Sequence, residues 1–384
     1  MRGVAFLVGA MAAAICAGGA VAAASRGAVT TRGYILSVFQ HAAYDDEAVD
    51  CPDGMNASGP EYYLANATAA ERVRFSGHEG KTALERFLFN GARGILDWKT
   101  PNACNTPLDF VKPGYYDPAF KTVRGKIAYG LDLDGAASPE VPAAGSCAHD
   151  EFAGPAGEPG IDNQWWRLMG CIKYYRPGGD IQRNVAAVMG SGELTIAIEV
   201  TGIDDPANDP DVSVGIYSSA DAAPTDASGR ILSGGSVEPH PDLRYHAFAQ
   251  GRIVNSVLTT DPVDVHLRFQ AMIIDTEWWL RNARLRLELS NDGTARGLIA
   301  GYFDVETFYE YIRQSNMSVS ILGGYTCPSL YLTAQRLADG FPDPATGRCT
   351  ALSAAYRIEA VPGFVIHPKA PATDSGRSQA AAVQ

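Results

Sequence analysis

Residues 193–201 read Glu-Leu-Thr-Ile-Ala-Ile-Glu-Val-Thr, with Leu194, Ile196, Ile198 and Val200 on every second position. Successive side chains of a strand point to opposite faces, so this spacing gathers four aliphatic groups on one face and leaves the other polar. Val212, Val214 and Ile216 repeat the pattern. Val263, Val265, Leu267 and Phe269 follow, then Leu285, Leu287 and Leu289. Clusters of Gly, Asp, Pro and Asn separate these runs, which is how half-buried antiparallel strands are spaced. Asn291-Asp292-Gly293 supplies a hairpin turn before Leu298. The pattern predicts a mainly β protein centred on an antiparallel, jelly-roll-like β-sandwich.

Outward from this centre the spacing changes. Glu61 to Phe75 and Ala83 to Asn90 have helical composition, with Leu84, Phe87 and Leu88 on one face. Asn102 to Tyr116 is rich in Pro, Asn and Gly and reads as loop. Phe303 to Gln314 returns to helical spacing. Pro328 to Ala338 carries Pro near its start and Asp339-Gly340 at its end, as helix termini favour. Ala354 to Val365 can supply a last strand. The expected division is a signal peptide at 1–24, a mixed loop and helix region at 25–130 and the sandwich at 131–302. A helical segment with the final strand follows at 303–367, then a disordered tail at 368–384 rich in Pro, Ala, Ser and Gln.

Met1-Arg2 followed by the uncharged run Gly3 to Ala24, ending in Ala22-Ala23-Ala24, has the form of a cleaved secretory leader. No later stretch reaches the length of a membrane helix. Cleavage removes Cys16 and leaves Cys51, Cys104, Cys147, Cys171, Cys327 and Cys349. An even number of cysteines in an exported chain reads as disulfides, and their order suggests 51–104, 147–171 and 327–349 among the alternatives. Removing Arg2 with the leader leaves 43 acidic against 30 basic residues, a net charge of −13. Such a surface argues against nucleic acid as a partner and favours cations. The sequence carries no haem, flavin or nucleotide signature.

Asp132-Leu133-Asp134-Gly135 and Gly160-Ile161-Asp162-Asn163 hold the leading cation candidates, Asp132, Asp134, Asp162 and Asn163. Calcium takes six to eight hard oxygens, and Asp-x-Asp-Gly offers two carboxylates beside a flexible turn. No Glu closes a twelve-residue EF-hand loop, so the site has to be assembled from distant segments. Asp204, Asp205, Asn208 and Asp209 form a second acidic loop between two strands and can add ligands. In both places the alternative is a turn whose side chains only cap backbone amides. Asp275 and Glu277 beside Trp278-Trp279 have the spacing of a glycosidase carboxylate pair, the weak catalytic candidates of the chain. Trp165-Trp166 and Trp278-Trp279 read as packing, with sugar-stacking platforms as the alternative, and one ring of each pair is expected to turn outward. His149-Asp150 is a further pair, read as surface or as a base with its orienter. Neither a Gly-x-Ser-x-Gly elbow nor a His-Glu-x-x-His helix occurs.

Taken as an ordered set, Asp132-Leu133-Asp134-Gly135, Cys147-Ala148-His149-Asp150, Gly160-Ile161-Asp162-Asn163-Gln164 and Gly170-Cys171 resemble a pattern of uncharacterised exported proteins of proteobacteria. The segments Gly202 to Val212, Leu258 to Val263 and Ala338 to Pro344 are similar to the same group. The resemblance implies export and a shared architecture, and it lends no catalytic residue.

The expected protein is therefore periplasmic or extracellular and stapled by disulfides, with its enzymatic status left open by the sequence. Its expected role is that of a calcium-stabilised binding or structural component of the cell envelope, with a glycan or protein partner. A glycan hydrolase using Asp275 and Glu277 is the main alternative, and a surface or assembly component without a small ligand is the third.

Overall fold

The computed structural model describes residues 29–91, 103–136, 145–271, 274–322 and 324–368. The expected leader and nearly all of the expected tail lie outside them. Eleven strands form one sheet. They are β1 (Thr30–His41), β2 (Ile196–Ile203), β3 (Asp209–Ser218), β4 (Gly235–Val237), β5 (His246–Val254), β6 (Val257–Thr260), β7 (Val263–Ala271), β8 (Ile274–Leu289), β9 (Ala295–Asp304), β10 (Gly340–Pro342) and β11 (Cys349–Val365).

Pairing runs β1-β2-β3-β5-β6-β8-β9-β11, and β11 returns to β1. The result is a closed eight-stranded antiparallel barrel with β4, β7 and β10 as additional strands, which corrects the sandwich expectation. The reason is physical. Period-two alternation reports that one face of a strand is buried, and the interior of a barrel buries that face as a second sheet would. The decisive seam is non-local, since Gly33 pairs with Gly363 and His41 with Tyr356.

The first strand is absent from the sequence reading because it does not alternate. Tyr34 and Leu36 join the main core, whereas Ile35 packs on the other face with Ala197, Ala223 and Val237. A strand covered on both faces loses its polar positions, and with them its period.

Eight α-helices and three short 3-10 turns accompany the sheet among the described residues, the α-helices being α1 (Glu47–Asp50), α2 (Gly59–Asn66), α3 (Ala69–Arg74), α4 (Gly77–Gly91), α5 (Gln164–Met169), α6 (Asp180–Ser191), α7 (Val305–Leu322) and α8 (Cys327–Leu337). The single helix read over Glu61 to Phe75 is two. Ser58 with Glu61 and Thr68 with Glu71 each close a capping box, so a new helix starts at Thr68. Trp165 and Leu168 of α5, Ile181 and Val185 of α6, Phe308 of α7 and Leu330 of α8 share one core with the barrel interior.

Three disulfides bind these layers: Cys51–Cys171, Cys104–Cys327 and Cys147–Cys349. None of the local pairs 51–104, 147–171 and 327–349 forms. The bonded residues are 120, 223 and 202 positions apart. Each bond joins segments distant in the chain, and they include Cys327 at the start of α8 and Cys349 at the start of the barrel strand β11.

Candidate metal centre

Residues 129–136 and 145–164 lie against the outer face of the barrel wall. Leu131 and Leu133 pack on Ala300, Tyr302, Ala351 and Ala355. Leu131 bridges Asp162, whose N–H donates to the Leu131 carbonyl at 3.1 Å. Gly130 permits this approach, because a Cβ there would lie 2.9 Å from the Asp162 carbonyl oxygen. Gly135 has φ of +77°, which closes the Asp-Leu-Asp-Gly turn at little steric cost. Arg284 on β8 clamps that turn, donating to the Asp132 carbonyl at 2.7 Å and the Leu133 carbonyl at 3.0 Å.

Asp162 is fully buried at the centre. Its Oδ2 accepts from Leu133 N at 2.7 Å and Asp134 N at 3.4 Å, and its Oδ1 faces His149 Nε2 at 2.8 Å. His149 Nδ1 lies 2.7 Å from the Cys147 carbonyl. On the far side Asp339 Oδ2 stands 3.8 Å from His149 Nε2, while its Oδ1 accepts from Ser353 N at 2.7 Å. Two overlapping ligand groups result: Asp132, Asp134 and Asp162, and His149, Asp162 and Asp339. The ligand atoms of each group lie within 4.8 Å of one another.

Electrostatics follow from this burial. Desolvation alone would lower the His149 imidazolium pKa, but the Asp162 hydrogen bond, the Asp339 charge and the Cys147 carbonyl outweigh it and raise it. Burial raises the Asp339 carboxyl against the opposing pull of His149 and Ser353. Asp132 is raised as well, by burial first and then by the charges of Asp162 and Asp134, with the Gly135 amide opposing.

The expected ligands separate into three sets. Asp132, Asp134 and Asp162 converge. Asn163 adjoins them as the cap of α5, its Oδ1 accepting from Trp166 N at 3.0 Å and its amide donating to the Ala42 and Tyr129 carbonyls. The acidic loop lies elsewhere. It follows Ile203, which pairs with Thr30, whereas Asp339 meets Ser353 beyond the His41–Tyr356 pair at the opposite end of the barrel. In that loop Asp209 accepts from the amides of Asp204, Asp205 and Asp211, Asp205 from Ala207, and Asn208 from Asn255. These amides hold the Asp209 carboxyl below its ordinary value.

Asp275 and Glu277 share a face of β8, and each meets cations of the neighbouring strand or turn. Asp275 lies 3.7 Å from Arg268, and Glu277 lies 3.3 Å from His266 and 3.6 Å from Arg244. Trp278 is core while Trp279 stacks on His266, as strand alternation requires. Trp165 and Trp166 are both buried, because they sit on a short helix rather than a strand.

From sequence, Asp339 marks the end of a helix, and His149 reads as a partner of Asp150. Asp150 instead pairs with Lys126 at 3.7 Å. The similar segment Ala338 to Pro344 is the one sequence signal that could have marked Asp339.

Beside the cluster, a groove of about 710 Å³ runs along the outer wall, lined by Gln40, Tyr129, Glu288, Arg296, Arg357 and Glu359 among others. The site and fold together define a closed, disulfide-tied barrel with a buried carboxylate–imidazole centre on its wall. Compared with known proteins, the chain matches no family model, no curated protein and no solved structure. No described helix is long and apolar enough to cross a membrane.

Proposed function

We propose that this chain is an exported binding protein of the cell envelope, periplasmic or extracellular, whose barrel wall is stiffened by calcium. The observation that carries the reading is the convergence of Asp132 and Asp134 on the buried Asp162. Hard carboxylate oxygens suit calcium, and the half-exposed Asp-Leu-Asp-Gly turn leaves room for water to complete the coordination. Three disulfides favour an oxidising compartment. The charged groove, which shares Ala42 and Tyr129 with the carbonyl partners of Asn163, suits a polar glycan or protein surface.

Melting curves of the full chain with chelator and with added calcium test this reading. Calcium is expected to raise the melting temperature by several degrees, and Asp134→Ala to abolish the rise. A wild-type curve indifferent to calcium overturns it.

A further inference from the structure

We propose that His149, Asp162 and Asp339 form a second, distinct site, for a first-row divalent transition ion of the zinc class. It shares Asp162 with the calcium reading and otherwise stands without it.

The tautomer of His149 opens the argument. The Cys147 carbonyl can only accept, so Nδ1 at 2.7 Å carries a hydrogen. Nε2 is thereby turned toward two acidic oxygens, Asp162 Oδ1 at 2.8 Å and Asp339 Oδ2 at 3.8 Å. Something electropositive belongs between them. A proton on Nε2 serves Asp162 alone and leaves Asp339 Oδ2, fully buried, with no hydrogen-bond partner. A buried carboxylate oxygen left in that state is costly. A metal ion there would serve all three residues, whose ligand atoms lie within 4.8 Å of one another.

The donor set selects the ion. One imidazole nitrogen with two carboxylate oxygens suits zinc and its neighbours, whereas calcium prefers oxygen throughout. Zinc bonds of about 2.0–2.2 Å set tetrahedral ligands about 3.4 Å apart. The separations of 2.8 and 3.8 Å bracket that value.

The outer shell is also complete. Each ligand is anchored through its other polar atom: His149 Nδ1 to the Cys147 carbonyl, Asp162 Oδ2 by Leu133 N, and Asp339 Oδ1 by Ser353 N. Such anchoring orients first ligands and sharpens affinity. The backbone is fixed as well, since Cys147 is bonded to Cys349 and its N–H donates to the Asp339 carbonyl at 2.7 Å. Three protein ligands leave a fourth position for water.

The test uses the chelator-stripped full chain titrated with zinc chloride by calorimetry, together with X-ray absorption at the zinc edge. One zinc per chain is expected, with one imidazole and otherwise oxygen donors. His149→Gln and Asp339→Asn each remove or weaken a ligand itself, and each is expected to weaken binding by at least the roughly 10–100-fold that loss of an outer-shell partner costs. Absence of stoichiometric binding overturns the proposal, as does binding that His149→Gln leaves unchanged. If either variant fails to fold, the wild-type absorption spectrum decides, and several imidazoles or any sulfur around the zinc overturns it. A calcium titration run separately reads the earlier proposal, so the two fail independently.

Discussion

Two acidic regions of this chain share turn capping, since Asp132 accepts from Gly135 N at 2.6 Å and Asp134 from Ala136 N at 2.8 Å, and they part at the buried Asp162. In the loop from Asp204 to Asp211 the carboxylates turn back on their own backbone, Asp209 binding amides no more than five residues away. In the centre around Asp162 the partners come from 13 and 29 residues away, and Asp339 faces His149 from the far end of the chain. Density of acids along a sequence therefore measures turn formation. What makes a candidate site is burial of a carboxylate where separate segments cross.

The comparison can be broken most severely at Asp162. Asp162→Ala strips His149 and the Leu133 amide of a buried partner and is expected to cost about 3–5 kcal/mol in urea unfolding. The pair Cys147→Ser with Cys349→Ser should cost about 2–4 kcal/mol and release the His149 segment, with zinc binding lost in the same protein. Asp209→Ala at the other end removes backbone caps and is expected to cost about 1–2 kcal/mol, leaving the calcium and zinc responses unaltered. A changed metal response there would erase the distinction between the two stretches. Glu277→Gln, on an ion-paired sheet surface, should shift stability by no more than about 1 kcal/mol.

Acidity sharpens the contrast without any substitution. With chelator present, the raised His149 contributes stability that is fully present below its ordinary value of 6.5 and fades as pH rises through its folded value, about 9. Asp209 is lowered, so its contribution is present above 3.8 and fades as pH falls through its folded value. Denaturation midpoints of wild type and His149→Gln should therefore converge from neutral to alkaline pH, while Asp209→Ala should approach wild type only in acid. Parallel curves for His149→Gln across that alkaline range would contradict the first half.

The strands β2, β3, β7 and β8 were legible because large apolar residues fill the core face at every second position with mostly small or polar residues between them, even where β2 and β3 are covered on both faces. The β8–β9 turn was legible because Gly293 adopts the positive φ that Asn-Asp-Gly favours. Closure was not, since nothing in Tyr34-Ile35-Leu36 says that its partner is Val361 or Ala360. The half of the centre built on Asp132, Asp134 and Asp162 could be read from glycine-punctuated acids. The half built on Asp339 could not, because its meaning depends on a pairing of β10 with β11 that brings it under Ser353. The local disulfide pairs fail for the same reason, as order along the chain gives no information on which distant segments become adjacent.

The seam between β1 and β11 also governs when this protein can fold. Ser37 donates to the Glu359 carbonyl across 322 residues, so the barrel stays open until its last long strand is available. Contacts that distant make folding slow. Until β11 is available, the edge of β1 that it covers stays bare and the apolar side chains beside it unshielded, an edge open to wrong pairing.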